Sequence, residues 1–221
     1  MRPRSDRSDA VLQELVLSFL AWELGLGAAK QSLGQIDGAT ADYNELRVCL
    51  PHELARIMTL HDARFEERTL RLRSVLNDIY RREHELSLGQ LLQMPKRDAR
   101  AYLDSLEGML PYVSARVCLL ELGSHAVPVD SRIVHVLRAE GCIPAEMDTS
   151  PHAECASWLE HHVRAEESYA FHLSLETLLD TTGQSIGTKT TPTKRKANAP
   201  KSKGPAKREA PAPRVRKRSK A

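Results

Sequence analysis

Apolar side chains recur at helical spacing along most of this chain. Val11, Leu12, Leu15, Val16, Phe19 and Leu20 form a broad apolar face behind Asp9, a residue type suited to an N-cap. Gly25 and Gly27 interrupt that pattern, and a second short helix is predicted over 28–33. Pro51 suits the first turn of a short helix carrying Leu54, Ile57 and Met58. The longest periodic run, 63–84, puts Phe65, Leu72, Leu76 and Ile79 on one stripe with Arg and Glu elsewhere. Ser87 then caps a segment over 88–94, and Pro95 opens one over 96–106. A helix over 111–122 stops at Gly123; Asp130 sits where the next helix needs a cap, and Gly141 closes it. Two more helices are predicted over 151–165 and 166–180. No alternating run of β-branched residues demands a strand, so the fold class is all-α.

The last 35 residues, 187–221, break the pattern. They carry 13 Lys and Arg against the single acid Glu209, are studded with proline and hold almost no large apolar side chains. Such a segment cannot bury enough surface to offset its ordering entropy, and it is expected to be a disordered basic tail. The whole chain is only +3, so the rest carries 19 basic and 28 acidic residues, a net −9. An acidic body with a basic tail suits phosphate neutralisation along nucleic acid, with Lys194, Arg195, Lys196, Arg216, Lys217 and Arg218 as the densest contacts. A tail that binds any polyanion, or only solubilises, fits the same composition.

Cys49, Cys118, Cys142 and Cys155 form no C-x-x-C pair, which reads as reduced thiols of a cytoplasmic protein. No apolar run reaches the roughly 20 residues of a membrane span, and acids interrupt the basic start in a way foreign to a signal peptide. His152, His161, His162 and His172 do not converge in spacing, so they read as solvated helix histidines rather than metal ligands.

The stretch LEGMLPYVSARVCLLELGSHAVPVDSRIVHVLRAEG, 106–141, carries a resemblance. It is similar to the helix-hairpin-helix DNA glycosylases of the endonuclease III superfamily: Leu106 and Gly108 match the hairpin start. Leu122-Gly123 matches the aliphatic–glycine pair that follows, and Val129-Asp130 the dipeptide that delivers the catalytic aspartate, all without a gap. LVLSFLAWELGLGAAKQSL (15–33) resembles the family's early helix pair. The resemblance implies a two-lobed helical fold with boundaries at 9–123, 124–186 and the tail 187–221. It implies a monomer acting on double-stranded DNA with no membrane involvement, in the cytoplasm at the nucleoid or in a eukaryotic nucleus.

Departures from the pattern shape the expected chemistry. Gly108 would help the hairpin turn aim N–H groups at a phosphate. However, Glu107 and Leu110 replace the usual proline and second glycine, and Pro111 lacks an N–H. DNA binding and simple packing are both open roles for the hairpin. Tyr112 stands where bifunctional members carry a Schiff-base lysine, and a phenol cannot form an imine, which implies a monofunctional glycosylase. Asp130 would stabilise the cationic sugar or activate water, and it can cap its helix at the same time. Ser18 stands where the adenine-removing branch has a glutamate, with Glu14 one turn away, so adenine removal is not expected. Trp22 falls where relatives fill the gap left by a flipped base; it suits either that wedge or the core. Only Cys142 and Cys155 follow Gly141, so no iron–sulfur cluster and no other cofactor is expected. A catalytically silent DNA-binding protein on the same scaffold is the alternative to the enzyme.

Overall fold

A computed structural model describes residues 9–144 and 152–183, and every one of its regular elements among them is helical. By internal contact the chain divides into Met1–Gly187 and Thr188–Ala221, and all described residues lie in the first unit.

Helix α1 (Ala10–Ala21) is the hub. Val11, Leu12, Leu15, Val16, Phe19 and Leu20 are fully buried, each contributing roughly 1.5–3 kcal/mol by leaving water. The helix packs against α2 (Leu26–Ala39), α5 (Phe65–Glu83) and α7 (Pro111–Leu120). The chain bends by 119° between α1 and α2, through Gly25 at φ +102°. Gly27 does not interrupt the helix, and α2 runs well past the predicted 28–33. Ala29, Leu33 and Ile36 face the core, and that burial outweighs the poor helix propensity of Gly27, Gly34 and Gly38.

A short helix that the sequence pattern did not predict, α3 (Tyr43–Val48), is capped by Asp42, whose side chain accepts from the Glu45 N–H, and is pinned by buried Tyr43 and Leu46. Helix α4 (Pro51–Ile57) starts at Pro51 as expected, with Glu53 accepting from the Leu50 N–H at 2.7 Å. Helix α5 buries Phe65, Leu72, Val75, Leu76 and Ile79 along one stripe. It ends at His84, in the left-handed region at φ +59°. The segment predicted over 88–94 is a single 3-10 helix, Gly89–Gln93, and it is not capped by Ser87 alone. Asp9 Oδ2 accepts from Ser87 Oγ (2.9 Å), the Leu88 N–H (2.6 Å) and the Gly89 N–H (2.9 Å), while Oδ1 accepts from the Leu12 N–H of α1.

Helices α6 (Lys96–Asp104) and α7 form a hairpin through residues 105–110. An extended stretch leads to α8 (Ser131–Ala139), which packs on α9 (His152–His162) and α10 (Ser168–Gly183). Helix α10 also returns to α2 and α7. Cys118 and Cys155 are buried thiols, Cys49 is half-buried and Cys142 exposed. Among the described residues no single helix is long and apolar enough to cross a membrane.

Candidate active site

The hairpin turn rests on α5. Gly108 has φ +88°, and a Cβ there would stand 3.0 Å from Ser74 Cβ and 3.1 Å from the Arg71 carbonyl oxygen, so close approach as well as backbone conformation selects glycine. Two of the turn's N–H groups serve acceptors within the protein. Glu107 donates to Asp78 Oδ2 at 2.9 Å, and Met109 donates to the Leu106 carbonyl at 3.1 Å. The fully buried Asp78 carboxylate also meets Arg81 at 2.5 Å and Arg82 at 2.7 Å. Burial alone would raise its pKa; the Glu107 N–H and the two guanidinium groups outweigh that and lower it.

Proline at the first position of α7 puts Tyr112 in the first turn, 2% exposed. Its hydroxyl donates to Glu176 Oε1 of α10 at 3.4 Å. Burial, reinforced by the Glu176 and Asp130 carboxylates, pushes its pKa far up and keeps it a neutral phenol.

Asp130 caps α8 and is wholly buried. Its Oδ1 accepts from the Arg132 and Ile133 N–H groups at 3.1 Å each. Oδ2 accepts from the Glu23 N–H at 3.1 Å and from Arg132 Nε at 2.9 Å, with Arg132 Nη2 at 2.8 Å. Glu23, at φ +58° just past the end of α1, answers by accepting from the Ser131 N–H at 3.0 Å and Ser131 Oγ at 2.7 Å. The exit of α1 and the start of α8 are thus clamped reciprocally. Burial works to lower the pKa of Arg132, and the Asp130 carboxylate overturns it, raising the pKa.

Further charged groups converge here. Arg116 of α7 is 3% exposed; its Nη1 pairs with Glu14 Oε1 and donates to Ser18 Oγ at 3.0 Å, while Ser18 Oγ donates to Glu14 at 2.8 Å. Burial raises the pKa of Glu14 and Arg116 opposes it. His172, expected to be a solvated helix histidine, is 1% exposed, because its face of α10 packs inward beside Glu176. Its Nε2 lies 3.8 Å from Glu176 Oε1, neither ring nitrogen has a hydrogen-bond partner among the described residues, and burial, followed by the Arg116 charge, lowers its pKa to about 4.

The chain matches no protein-family model and no curated protein.

The structure brings Tyr112 and Asp130 into one largely buried polar cluster with Ser18, Arg116, His172 and Glu176, which the partly exposed Glu14 and Arg132 complete. A cavity of about 210 Å³ opens beside Tyr112, between α7, residues 127–129 and α9. It is smaller than the roughly 300 Å³ at the low end of small-molecule pockets, and Asp130 is not part of its wall. Trp22 is not joined to the cluster as an open wedge. It is 8% exposed, its carbonyl accepts from buried Arg68 at 2.8 and 3.1 Å, and the Arg64 guanidinium lies 5.4 Å from the ring centre. Lys194, Arg195, Lys196, Arg216, Lys217 and Arg218 lie outside the described residues.

Arg116, Arg132, His172 and Glu176 did not stand out as site residues in the sequence. Arg116 carried the one usable signal, a charge inside the otherwise apolar PYVSARVCLL. The His172–Glu176 spacing of four residues puts both on one helix face, but nothing local shows that this face is buried.

Proposed function

We propose that this protein is a monofunctional, DNA glycosylase-like protein of base excision repair. It would be built on a two-lobed helix-hairpin-helix scaffold of the endonuclease III type and act on double-stranded DNA. The observation that carries the reading is the convergence of Asp130, at the cap of α8, and Tyr112, at the start of α7, in a buried charged cluster. Desolvating ionised groups costs several kcal/mol each, and a helical core needs none of them for stability. Such clusters concentrate where chemistry is done. Breaking an N-glycosidic bond develops positive charge on the sugar, and a carboxylate in a water-poor site stabilises that charge far better than one in solvent. Tyr112 supplies no amine, so water is the nucleophile and the product is an intact abasic strand.

For excision, Arg132 must leave Oδ2, because the carboxylate has no exposed face while the guanidinium holds it. The same clamp favours the second reading, a catalytically silent DNA-binding protein on this scaffold.

Duplexes that each carry one lesion or mismatch, incubated with the full-length protein, decide between the two. The expected product breaks only after alkali, and borohydride traps no adduct. Asp130→Asn is expected to abolish base release while duplex binding persists, since the amide keeps a capping oxygen and loses the charge. Undiminished release by that variant removes Asp130 from the mechanism, and a trapped imine replaces the monofunctional assignment. Binding without release from any duplex selects the silent protein.

A further inference from the structure

We propose that the groove between α3 and α5, beside the hairpin turn, is a phosphate-binding site for a nucleic-acid strand, with Arg47 and Arg73 as its cations. The groove has a volume of about 660 Å³ and is walled by Arg47, Leu70, Arg73, Asn77, Tyr80 and Arg81, with Asp78 and Glu107 at the hairpin side.

Arg47 is held in place before any ligand arrives. Its guanidinium carbon lies 4.1 Å from the centre of the Tyr80 ring, and Nη1 donates to Asn77 Oδ1 at 3.0 Å. Asn77 Nδ2 in turn donates to the Arg47 carbonyl at 3.3 Å and the Arg73 carbonyl at 2.8 Å. A long cation fixed on such a platform loses little further freedom when it binds an anion.

The neighbouring arginines of α5 and its cap have acids of their own. Arg64 and Arg71 pair with Glu67, Arg68 with Asp62, and Arg81 and Arg82 with Asp78. Arg47 and Arg73 meet no carboxylate among the described residues, and the Nε–H of each is shut off from solvent without an acceptor. The two acids at the groove's edge do not offset them. Asp78 is taken by Arg81, Arg82 and the Glu107 N–H, and Glu107, 66% exposed, lies 3.8 Å from Arg81. Two uncompensated guanidinium groups on an acidic body call for an anion with paired oxygens, which the planar fork fits. Leu70 and Tyr80, 46% and 39% exposed, offer an apolar wall against which a sugar or base can lie, a combination suited to an oligonucleotide rather than a bare anion.

The site rests on the nucleic-acid part of the proposed function and is independent of the chemistry at Asp130, so the two can fail separately. The test is the arginine side-chain ¹⁵N spectrum of the full-length protein, titrated with 5′-phosphorylated tetrathymidylate, which carries no lesion. The expected result is a saturable shift of the Arg47 and Arg73 Nε–H signals, with those of Arg64 and Arg71 unmoved. Arg73→Gln should weaken the titration read at Arg47, and in duplex binding it should lower the slope of log affinity against log salt by about one. An unchanged backbone spectrum for the variant shows that its fold is kept. Shifts confined to residues 187–221, or an unchanged salt slope, overturn the groove as a binding site whether or not any base is ever released.

Discussion

His172 sits in the interior beside Glu176, on a helix whose exposed side carries Tyr169 and Leu173. Burial lowers its pKa from the ordinary 6.5 to about 4, so between those values the unfolded chain binds a proton that the folded protein refuses. The stability this supports is complete above pH 6.5 and falls away as pH drops towards 4. Urea unfolding of His172→Leu should therefore show a smaller loss between pH 7 and 4.5 than the wild type, by on the order of 2–3 kcal/mol. Glu14, whose pKa burial raises, works in the opposite sense at the acid end, and the wild-type-minus-variant difference cancels it. Equal acid dependence in the two proteins would mean that His172 is not held neutral. At the same scale, Asp130 is held by its partners: three backbone N–H groups and the Arg132 guanidinium fill both oxygens.

Asp9 shows how one residue can govern two elements. Its Oδ1 caps α1 through Leu12, and its Oδ2 gathers Ser87, Leu88 and Gly89 at the start of the 3-10 helix 78 to 80 residues away in sequence. An ordinary N-cap is worth about 1 kcal/mol. Asp9→Ala removes that cap, takes the acceptor from the Leu88 N–H and leaves the Gly89 N–H only Ser87 Oγ at 3.4 Å, so a cost of about 2–4 kcal/mol is expected. Thermal unfolding measures the total. Amide hydrogen exchange over 87–93 locates it, and unchanged protection there would show that the 3-10 helix stands without Asp9. The hairpin between α6 and α7 is a second case of coupling between elements, since Asp78 of α5 takes the Glu107 N–H and α5 leaves no room for a side chain at position 108.

For the whole molecule, charge is unevenly distributed along the chain, and under the proposed function that distribution sets how it meets a polyanion. The 13 basic residues of 187–221 oppose a body of net −9, and in the body most arginines near the hairpin are already paired with acids. Deleting 187–221 is expected to weaken duplex binding strongly and to flatten its salt dependence, because each phosphate neutralised adds nearly one to the log–log slope. Titrating a labelled duplex at several salt concentrations checks this. A truncated protein that binds as tightly and with the same slope would assign the electrostatic attraction to the body instead.

The helical class, most element positions, the Asp9 and Asp130 caps and the stop at Gly123 were legible in the sequence, because caps, glycines and apolar spacing act over a few residues. The continuation of α2 through its glycines and the existence of α3 were not, since both depend on burial against helices elsewhere in the chain. Asp130 and Tyr112 were singled out through the resemblance to a family's motif, and only the tertiary structure decided what surrounds them. Glu14 comes from α1, Arg116 from α7, Arg132 from α8, and His172 and Glu176 from α10. Local pattern fixes which face of a helix is apolar; it does not fix which charged residues of distant helices are desolvated together. That depends on packing, and packing is what sealed Asp130 beneath Arg132 and left Arg47 and Arg73 without acids among the described residues.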